Sequence, residues 1–367
     1  MNQPKFVFHL VYRLGIGGLE TLLINMINNM SDEKYRHKII CLTNSEGLES
    51  RLNKAVEIIE LNKKNGNDLS LHFKLASLFR RDKPQILHTY NIPTIEYHFT
   101  AWLMGVKGRL HAEHGRDASD PLGKNKKYNF LRKILSPFIQ CYVAVSDDLN
   151  NWLLNDLRLS NRKVKLILNG VDTNDFNPVA TKGTDKAIIQ LGIIGRLDPV
   201  KDHKTLFDAI QKLKDKHKKL KLSVIGDGSE RQKLEEYVHQ IHLEEEIAFL
   251  GAKNDIAEQL KDLDVFILSS IAEGIPITLI EAMSCGLPTV TTDVGGIPEV
   301  VLDNQTGILV SPKQAEQMAD ALLKYIDHPN LRLKHGKAGR KRIIDHFSLD
   351  VMVENYTNLY NDLTTNN

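Results

Sequence analysis

The chain has 367 residues, of which 42% are hydrophobic and 26% charged, and its formal net charge at pH 7 is +2. This composition is that of a soluble globular protein with room for two domains, and no stretch approaches the ~18 uninterrupted apolar residues of a spanning helix. The cysteines, Cys41, Cys141 and Cys285, are widely spaced. They therefore indicate neither a disulfide framework nor a zinc site, and they fit a reducing cytosol.

The charge is unevenly distributed along the chain. Residues 1–180 carry 25 Lys and Arg against 18 Asp and Glu, whereas the remainder carries 23 against 28. A basic first half suggests an anionic partner on that side, although scattered surface charge would give the same count. Aromatic residues are few and the basic residues form no recognised module, so nucleic-acid binding is not expected.

Apolar, β-branched runs alternate with helix-length amphipathic stretches, which predicts parallel sheets built from βαβ units. The first run is too interrupted for a signal peptide and is expected to be a strand. The polar stretch 172–186 predicts a linker, and helices are expected near 313–326, 330–346 and 349–362. The predicted strands are 6–12, 37–43, 56–61, 85–90, 108–114, 141–146 and 164–170 before the linker, and 187–195, 221–228, 247–251, 265–270, 288–293 and 306–310 after it.

Glycines follow the first predicted strand in the segment LGIGGLET, residues 14–21. Counted from Gly15, the dinucleotide fingerprint Gly-x-Gly-x-x-Gly would need a third glycine where Glu20 stands. The second strand also ends without an acidic residue for a ribose, which disfavours a nicotinamide or flavin dinucleotide. A glycine turn that enters a helix still predicts either an anion site or an unliganded tight turn.

Charged residues follow two strands in the second half. Arg196 and Lys201, in GRLDPVKD (195–202), are suitably placed for a diphosphate, unless the loop is ordinary solvated surface. Glu273 and Glu281, in EGIPITLIE (273–281), are either a glycosidase-like acid and base or ligands for sugar hydroxyls. Gly274 permits close approach of the backbone to a ligand. Together these residues indicate a site for a sugar nucleotide.

The order and spacing of these segments resemble the retaining, GT-B-fold glycosyltransferases of family 4, over nearly the whole chain. The resemblance is closest to transferases of bacterial exopolysaccharide and lipid-linked glycan assembly. It is carried by GGLE (17–20), HGRD (114–117), VAVSDDL (143–149), LILNGVD (166–172), GRLDPVKD (195–202), VIGDG (224–228), EGIPITLIE (273–281), SCGLPTVTTDVGGIPEVV (284–301) and TGILV (306–310).

The resemblance implies an α/β chain of two Rossmann-like, doubly wound parallel-sheet domains that face each other across a cleft. We expect an acceptor-side domain at 1–178, a donor-binding domain at 179–347, and a helix at 348–367 that crosses back to the first domain. Catalytic roles are implied for His114, Glu273, Arg196 and Lys201. Donor-binding roles are implied for Gly17, Gly18, Arg196, Lys201, Gly226, Gly251, Glu273, Gly274, Ile275 and Glu281, and acceptor-side roles for His88, Arg116 and Asp117.

The expected reaction moves a sugar, with retention, from a UDP-linked donor to a glycan or lipid-linked acceptor. No cofactor or metal is expected, because Arg196 and Lys201 supply the positive charge. The Asp-Leu-Asp sequence at 262–264 starts a strand and is not expected to bind metal. Two alternatives remain open, a sugar-nucleotide epimerase of similar build and a non-catalytic nucleotide-sugar binding protein.

The segment 123–138 carries both cations and apolar residues. A helix there would combine Lys124, Lys126, Lys127, Arg132 and Lys133 with an apolar stripe formed by Tyr128, Phe130, Leu131, Ile134, Leu135 and Phe138. Such a helix either covers its own sheet or lies on an anionic membrane surface. The expected location is therefore cytoplasmic, with peripheral contact at the inner face of the membrane.

Overall fold

A computed structural model describes residues 3–15, 17–116, 120, 123–178, 188–216 and 219–365. The strands are β1 (Lys5–Val11), β2 (Tyr35–Cys41), β3 (Glu57–Glu60), β4 (Ile86–Tyr90), β5 (Gly108–Glu113), β6 (Cys141–Ala144), β7 (Val164–Leu166), β8 (Ile189–Ile194), β9 (Leu220–Ile225), β10 (Ile247–Gly251), β11 (Val265–Leu268), β12 (Thr289–Thr292) and β13 (Ile308–Val310). Each of the predicted strands is thus present, although most are a residue or more shorter than predicted.

The helices occupy the segments between the strands and the end of the chain. They are α1 (Gly18–Asn29), α2 (Ser70–Asp82), α3 (Tyr97–Leu103), α4 (Lys126–Leu135), α5 (Asp147–Asn151), α6 (His203–Asp215), α7 (Arg231–Gln240), α8 (Ile256–Lys261), α9 (Ile277–Ser284), α10 (Ile297–Val300), α11 (Ala315–Asp327), α12 (Pro329–His346) and α13 (Leu349–Thr365). Among the described residues, no helix is both long enough and apolar enough to cross a membrane.

The chain divides into two compact units, Met1–Asn169 with Leu349–Asn367, and Gly170–Ser348. The division falls earlier than the predicted boundary at 178, because the described part of the linker packs on the second unit. There the Phe176 carbonyl accepts hydrogen bonds from Ser284 Oγ (2.7 Å) and an Arg340 guanidinium nitrogen (3.0 Å). Residues 179–186 of the predicted linker, and residue 187 of the next predicted strand, lie outside the described residues.

The first unit contains a seven-stranded parallel sheet in the order β3-β2-β1-β4-β5-β6-β7. Both faces are covered, so that every residue of β4 and β6 is buried. The C-terminal helix α13 belongs to this unit, where Asn361 Oδ1 accepts hydrogen bonds from Lys5 Nζ (2.7 Å) and Tyr35 Oη (3.0 Å). These contacts attach the end of the chain to β1 and β2.

The second unit contains a six-stranded parallel sheet in the order β10-β9-β8-β11-β12-β13. Its core is mainly aliphatic, with Leu191, Val224 and Ile267 buried on the central strands. The order reverses between β8 and β11, as it does between β1 and β4 in the first unit. In open α/β sheets ligands bind beyond the carboxyl ends of the strands at such a reversal. The candidate site residues of each unit are therefore sought there.

Candidate active site

In the second unit, the loops after β8 and β11 meet at the point where the strand order reverses. The Ile271 N–H donates to the Val200 carbonyl (2.8 Å), and Ser269 Oγ donates to the Lys201 carbonyl (2.8 Å). Residues 199–201 form a 3₁₀ turn before α6 begins at His203. The two loops therefore form one connected backbone layer at the carboxyl edge of the sheet.

This layer brings Lys201 and Glu273 into direct contact. Lys201 Nζ lies 2.5 Å from Glu273 Oε1, and the two side chains are 15% and 12% exposed. Ser270 Oγ donates to the same carboxylate oxygen at 2.6 Å, and the Ser270 carbonyl accepts a hydrogen bond from Thr292 Oγ1 at 2.6 Å. The carboxylate is thus held from two sides while the pair remains reachable by a ligand.

Two glycines allow the surrounding loops to pack on this layer. Gly226 has a φ of +142°, and a Cβ there would overlap the carbonyl oxygen of Gly195. Gly295 has a φ of +55°, and a Cβ there would overlap the carbonyl oxygen of Glu273. Only glycine permits both the positive φ and the close approach. The predicted residue Gly251 joins the same edge, since its carbonyl accepts the Gly226 N–H at 2.9 Å.

The other predicted donor residues of this unit lie nearby in the chain but in different settings. The Arg196 guanidinium is 58% exposed and pairs with Asp198 in its own loop at 3.1 Å. Gly274 follows Glu273, and its carbonyl accepts the Gly296 N–H at 3.2 Å, whereas Ile275 is buried. Glu281, in α9, is only 5% exposed. Contacts in this structure therefore join Lys201 to Glu273, with Arg196 turned toward Asp198.

His203 begins α6 beside this layer, whereas Asp264 lies at the opposite, amino edge of the sheet. Burial, with the neighbouring Lys201 charge, lowers the pKa of the His203 imidazole to about 4, so the ring is neutral at pH 7. Asp264 sits at the amino end of β11, where Oδ2 accepts the Gln190 N–H at 2.9 Å. Among the described residues, no group of three or more His, Cys, Asp or Glu could hold a metal ion.

In the first unit, the glycine segment follows β1 at the corresponding reversal. Gly17 precedes α1 and Gly18 begins it. Glu20, which stands where the fingerprint has glycine, folds back so that a Cβ on Gly17 would overlap its carboxylate. The Glu20 carboxylate therefore already lies at the N-terminus of α1, where the helix dipole is positive.

His114 directly follows β5, at the same edge of the first sheet. Its N–H donates to Asn91 Oδ1 at 2.8 Å, and Asn91, after β4, has a φ of +56°. The ring is partly buried, and its enclosed Nε2 has no hydrogen-bond partner among the described residues. Burial lowers the pKa of this imidazole to about 3, although the nearby Glu113 charge opposes the shift. His114 is therefore a neutral imidazole at pH 7.

The acceptor-side candidates fall into three settings. Arg116 forms a bidentate pair with Asp148, at 2.6 and 3.1 Å, and Asp117 lies outside the described residues. His88 is completely buried, with Nδ1 2.8 Å from Tyr360 Oη and 3.0 Å from Tyr90 Oη. Its imidazole joins β4 to α13 inside the core, so we do not include His88 in the proposed site.

The structure corrects the expectation for segment 123–138. Arg132 is buried and donates from Nε to Glu113 Oε1 at 2.6 Å, so it does not belong to the cationic face. Tyr128, Leu131 and Leu135 pack on the unit's own core. The apolar stripe is thus divided, because Phe130 (64% exposed) and Ile134 (53% exposed) point outward instead.

The sequence did not reveal the residues that contact and orient Glu273 and His114. Ser270 holds Glu273, Asn91 holds His114, and Gly295 packs against Glu273. Ser270 and Asn91 follow strands directly, which places them at the carboxyl edge. That position was the only available signal, and it does not say which neighbour a side chain contacts.

Comparisons with known proteins place the chain in a family. The model described as "Glycosyltransferase Family 4" matches residues 16–175, and "Glycosyl transferases group 1" matches residues 173–342. The N-acetyl-alpha-D-glucosaminyl L-malate synthase of Bacillus anthracis is 27% identical over 89% of this chain and 90% of its own length. The UDP-Gal:alpha-D-GlcNAc-diphosphoundecaprenol alpha-1,3-galactosyltransferase of Escherichia coli is 27% identical over 82% of this chain and 81% of its own.

Solved structures show the same fold. Anabaena HepE in complex with UDP-glucose aligns with a TM-score of 0.83 and 18% identity, covering 97% of this chain and 99% of its own. The two parallel-sheet units are those of the GT-B fold. With both family models matched in tandem, the chain belongs to the family 4, group 1 glycosyltransferases.

Proposed function

We propose that this chain is a retaining glycosyltransferase that moves a sugar from a UDP-linked donor to a lipid-linked or glycan acceptor in bacterial surface polysaccharide synthesis. The observation that carries this proposal is the Lys201–Glu273 pair at the strand-order reversal of the second sheet. It offers one cation for phosphate oxygens and one carboxylate for sugar hydroxyls, which together match a nucleotide sugar.

The choice of donor and acceptor classes rests on the relatives. The Escherichia coli relative uses UDP-Gal and a diphosphoundecaprenol-linked acceptor, and the Anabaena structure contains UDP-glucose. A relative in Campylobacter jejuni, 25% identical over 90% of this chain and 93% of its own, likewise acts on a diphospho-undecaprenol glycan. These names support a UDP donor and a lipid-linked acceptor.

The proposed chemistry uses Lys201 to stabilise charge on the departing nucleoside diphosphate, with Arg196 as a second cation once it leaves Asp198. Glu273 accepts hydrogen bonds from the sugar, and Glu281 is proposed to hold the ribose. Gly226, Gly251, Gly274 and Ile275 supply backbone contacts. The acceptor hydroxyl attacks on the face that the phosphate leaves, and a phosphate oxygen takes its proton. We propose that no metal is needed, because preorganised cations supply the charge stabilisation.

The first unit is proposed to bind the acceptor. Neutral His114 can accept a hydrogen bond from a sugar hydroxyl at pH 7, and Arg116 and Asp117 are assigned to acceptor recognition. Gly17 and Gly18 are proposed to contact donor phosphates through backbone N–H groups. Because Glu20 lies against Gly17, this contact requires the carboxylate to turn away.

The test combines binding and product analysis. A thermal-shift screen of UDP-, GDP- and ADP-sugars should single out UDP-sugars, since a ligand at 100 times its Kd stabilises the folded state by about 2.7 kcal/mol. NMR of the reaction with a prenyl-diphosphate-linked sugar should then show an anomeric configuration identical to that of the donor. An inverted product would contradict retention. Conversion of the donor sugar without an acceptor would indicate an epimerase, and binding without turnover a sensor.

A further inference from the structure

We propose that Asn91 is a positioning residue, which accepts a strained backbone after β4 so that its side chain can fix His114 for sugar transfer. This inference rests on the proposed function, in which the neutral His114 imidazole accepts a hydrogen bond from a sugar hydroxyl. Asn91 contacts no substrate in this proposal and acts only through His114.

The backbone of Asn91 has a conformation that residues with side chains normally avoid. Its φ is +56° and its ψ is 172°, next to the region of backbone space that is essentially confined to glycine. The 3₁₀ turn Ile92–Thr94 locks this conformation, because Thr94 Oγ1 donates to the Tyr90 carbonyl at 2.9 Å and accepts the Tyr90 N–H at 2.9 Å. Glycine would fit this backbone without strain, so the reason for asparagine lies in its side chain.

The side chain of Asn91 takes a place in the hydrogen-bond ladder between β4 and β5. In a parallel ladder, a residue that donates to one residue of the neighbouring strand accepts from the residue two positions further along. The Asn91 N–H donates to the Ala112 carbonyl at 2.9 Å, so the regular acceptor for the His114 N–H would be the Asn91 carbonyl. That carbonyl instead accepts the Thr94 N–H at 3.2 Å. Asn91 Oδ1 accepts the His114 N–H in its place, at 2.8 Å.

This bond keeps His114 in register with the sheet although β5 has already ended. The His114 ring lies against Tyr90, with the ring centroids 5.6 Å apart. Tyr90 is itself fixed in the core, since its Oη lies 2.9 Å from His9 Nδ1 and 3.0 Å from His88 Nδ1. Asn91 thus holds the backbone of His114 while Tyr90 supports one side of its ring. Without the Asn91 side chain, only the ring contact would remain.

The decisive variant is Asn91→Gly, because it removes the side chain and the backbone strain together. Relief of strain offsets the lost hydrogen bond, so the free energy of unfolding in urea should match the wild type within the usual error of about 10–15%. The kcat for sugar transfer should nevertheless fall about 10–100-fold, because the imidazole is no longer held in place. The Kd of UDP should not change, since UDP has no sugar for His114 to contact.

Two further variants separate positioning from a general effect of the substitution. Asn91→Asp keeps an oxygen for the His114 N–H and tolerates a positive φ, so its kcat should stay within about threefold of the wild type. The matched control is Asn62→Gly, at an exposed asparagine after β3 with a φ of +54°, and it should leave kcat unchanged.

Hydrogen exchange of the His114 amide, followed by NMR, gives a reading that does not depend on transfer. The amide should exchange at least about tenfold faster in Asn91→Gly than in the wild type, because its acceptor is gone. Exchange should stay close to the wild-type rate in Asn91→Asp and Asn62→Gly, where the acceptor remains.

The outcomes distinguish this inference from the proposed function. A wild-type chain that transfers no sugar would overturn the proposed function and, with it, the role assigned to His114. With an active wild type, unchanged kcat in Asn91→Gly, an equal loss in Asn91→Asp, or an unchanged exchange rate of the His114 amide would overturn the positioning role alone. A clear loss of stability in Asn91→Gly would also overturn it, because the side chain would then serve the fold.

Discussion

Each unit contains an ion pair at or near the carboxyl edge of its sheet, and the two pairs differ in exposure. In the first unit, Glu113 and Arg132 are 0% and 3% exposed, with Arg132 donating from two nitrogens and His111 Nε2 lying 3.2 Å from Glu113 Oε1. In the second, Lys201 and Glu273 retain 15% and 12% exposure. We call Glu113–Arg132 the closed pair and Lys201–Glu273 the open pair. The closed pair stabilises the packing of the core, whereas the open pair can exchange partners with a ligand.

The pKa of Glu113 shows how strongly the closed pair is coupled. Burial alone raises the pKa of this carboxyl, but the Arg132 charge and the hydrogen bonds from Arg132 and His111 outweigh burial and leave the pKa at about 2. Glu113 thus stays ionised at pH 7. Its contribution to stability is present above its unfolded pKa, near 4.5, and is lost as the pH falls toward 2.

The largest expected effect comes from opening the closed pair. Arg132→Leu leaves an ionised carboxylate buried without its main partner, and we expect a loss of about 3–5 kcal/mol in the free energy of unfolding of the first unit. Urea unfolding followed by tryptophan fluorescence measures this, since Trp102 and Trp152 both lie in that unit.

Two controls accompany this variant. Lys133→Leu changes the exposed neighbour and should shift the free energy of unfolding by less than about 0.5 kcal/mol. The double variant Glu113→Leu with Arg132→Leu should recover part of the loss, because no charge is left buried. A single Arg132→Leu variant as stable as the wild type would show that the pair does not hold the fold.

Breaking the open pair is expected to affect catalytic activity more than stability. Lys201→Ala should lower kcat for sugar transfer by about 10²–10³-fold, because charge stabilisation of the leaving group is lost. The free energy of unfolding should fall less than in Arg132→Leu, because the Glu273 carboxylate left behind is partly exposed and keeps its hydrogen bond from Ser270. Steady-state kinetics with a UDP-sugar and urea unfolding measure the two quantities, and Lys204→Ala, an exposed lysine of α6 that pairs with Asp208, is the control. Unchanged turnover in Lys201→Ala would refute the proposed site.

Lowering the pH should destabilise the first unit more than the second, because more of the histidines with lowered pKa values lie in the first unit. In the first unit burial lowers the pKa values of His9, His37 (to about 4), His88, His98 and His114 (to about 3), whereas the second buries His203 and His335. Below about pH 6.5 the unfolded chain binds protons that the folded unit does not, so stability is present above that pH and falls as the pH drops toward 4.

Hydrogen exchange at pH 7 and pH 5 tests this difference, after correction for intrinsic exchange rates. We expect protection of β1, β4 and β5 to fall more than protection of β8 and β11. Each buried imidazole contributes up to about 1.4 kcal/mol per pH unit. Equal losses in both sheets would contradict the expected difference between the units.

The smallest expected effect comes from removing the Ser270 hydroxyl, which donates a hydrogen bond to Glu273 of the open pair. Ser270→Ala removes one hydrogen bond to Glu273 and should raise the donor KM about tenfold, with the fold unchanged. Ser270→Thr keeps the hydroxyl and should restore most of the affinity. Ser229→Ala, at an exposed position after β9, serves as the control, and initial rates over a range of donor concentration give the comparison.

The sequence predicted the architecture well because both sheets are buried on both faces, which makes their strands continuous apolar runs. It also located Lys201 and Glu273, since a charged residue just after a parallel strand must lie at the carboxyl edge. It failed for Arg132, because the residue type alone does not show whether a polar group has a partner inside the core. The acceptor-side role of His88 stays a prediction, although its ring is buried in the core. Arg132 is the partner of Glu113, nineteen positions away.

The Lys201–Glu273 contact also bears on which anions the second unit retains. Because the Glu273 carboxylate already neutralises the Lys201 ammonium, the pair carries little net charge, and a phosphate that binds Lys201 comes to lie beside this carboxylate. Inorganic phosphate mainly repels this carboxylate, whereas the proposed nucleotide sugar also brings hydroxyls that can donate to it. In the proposed function the pair therefore favours a ligand that satisfies both partners over small anions.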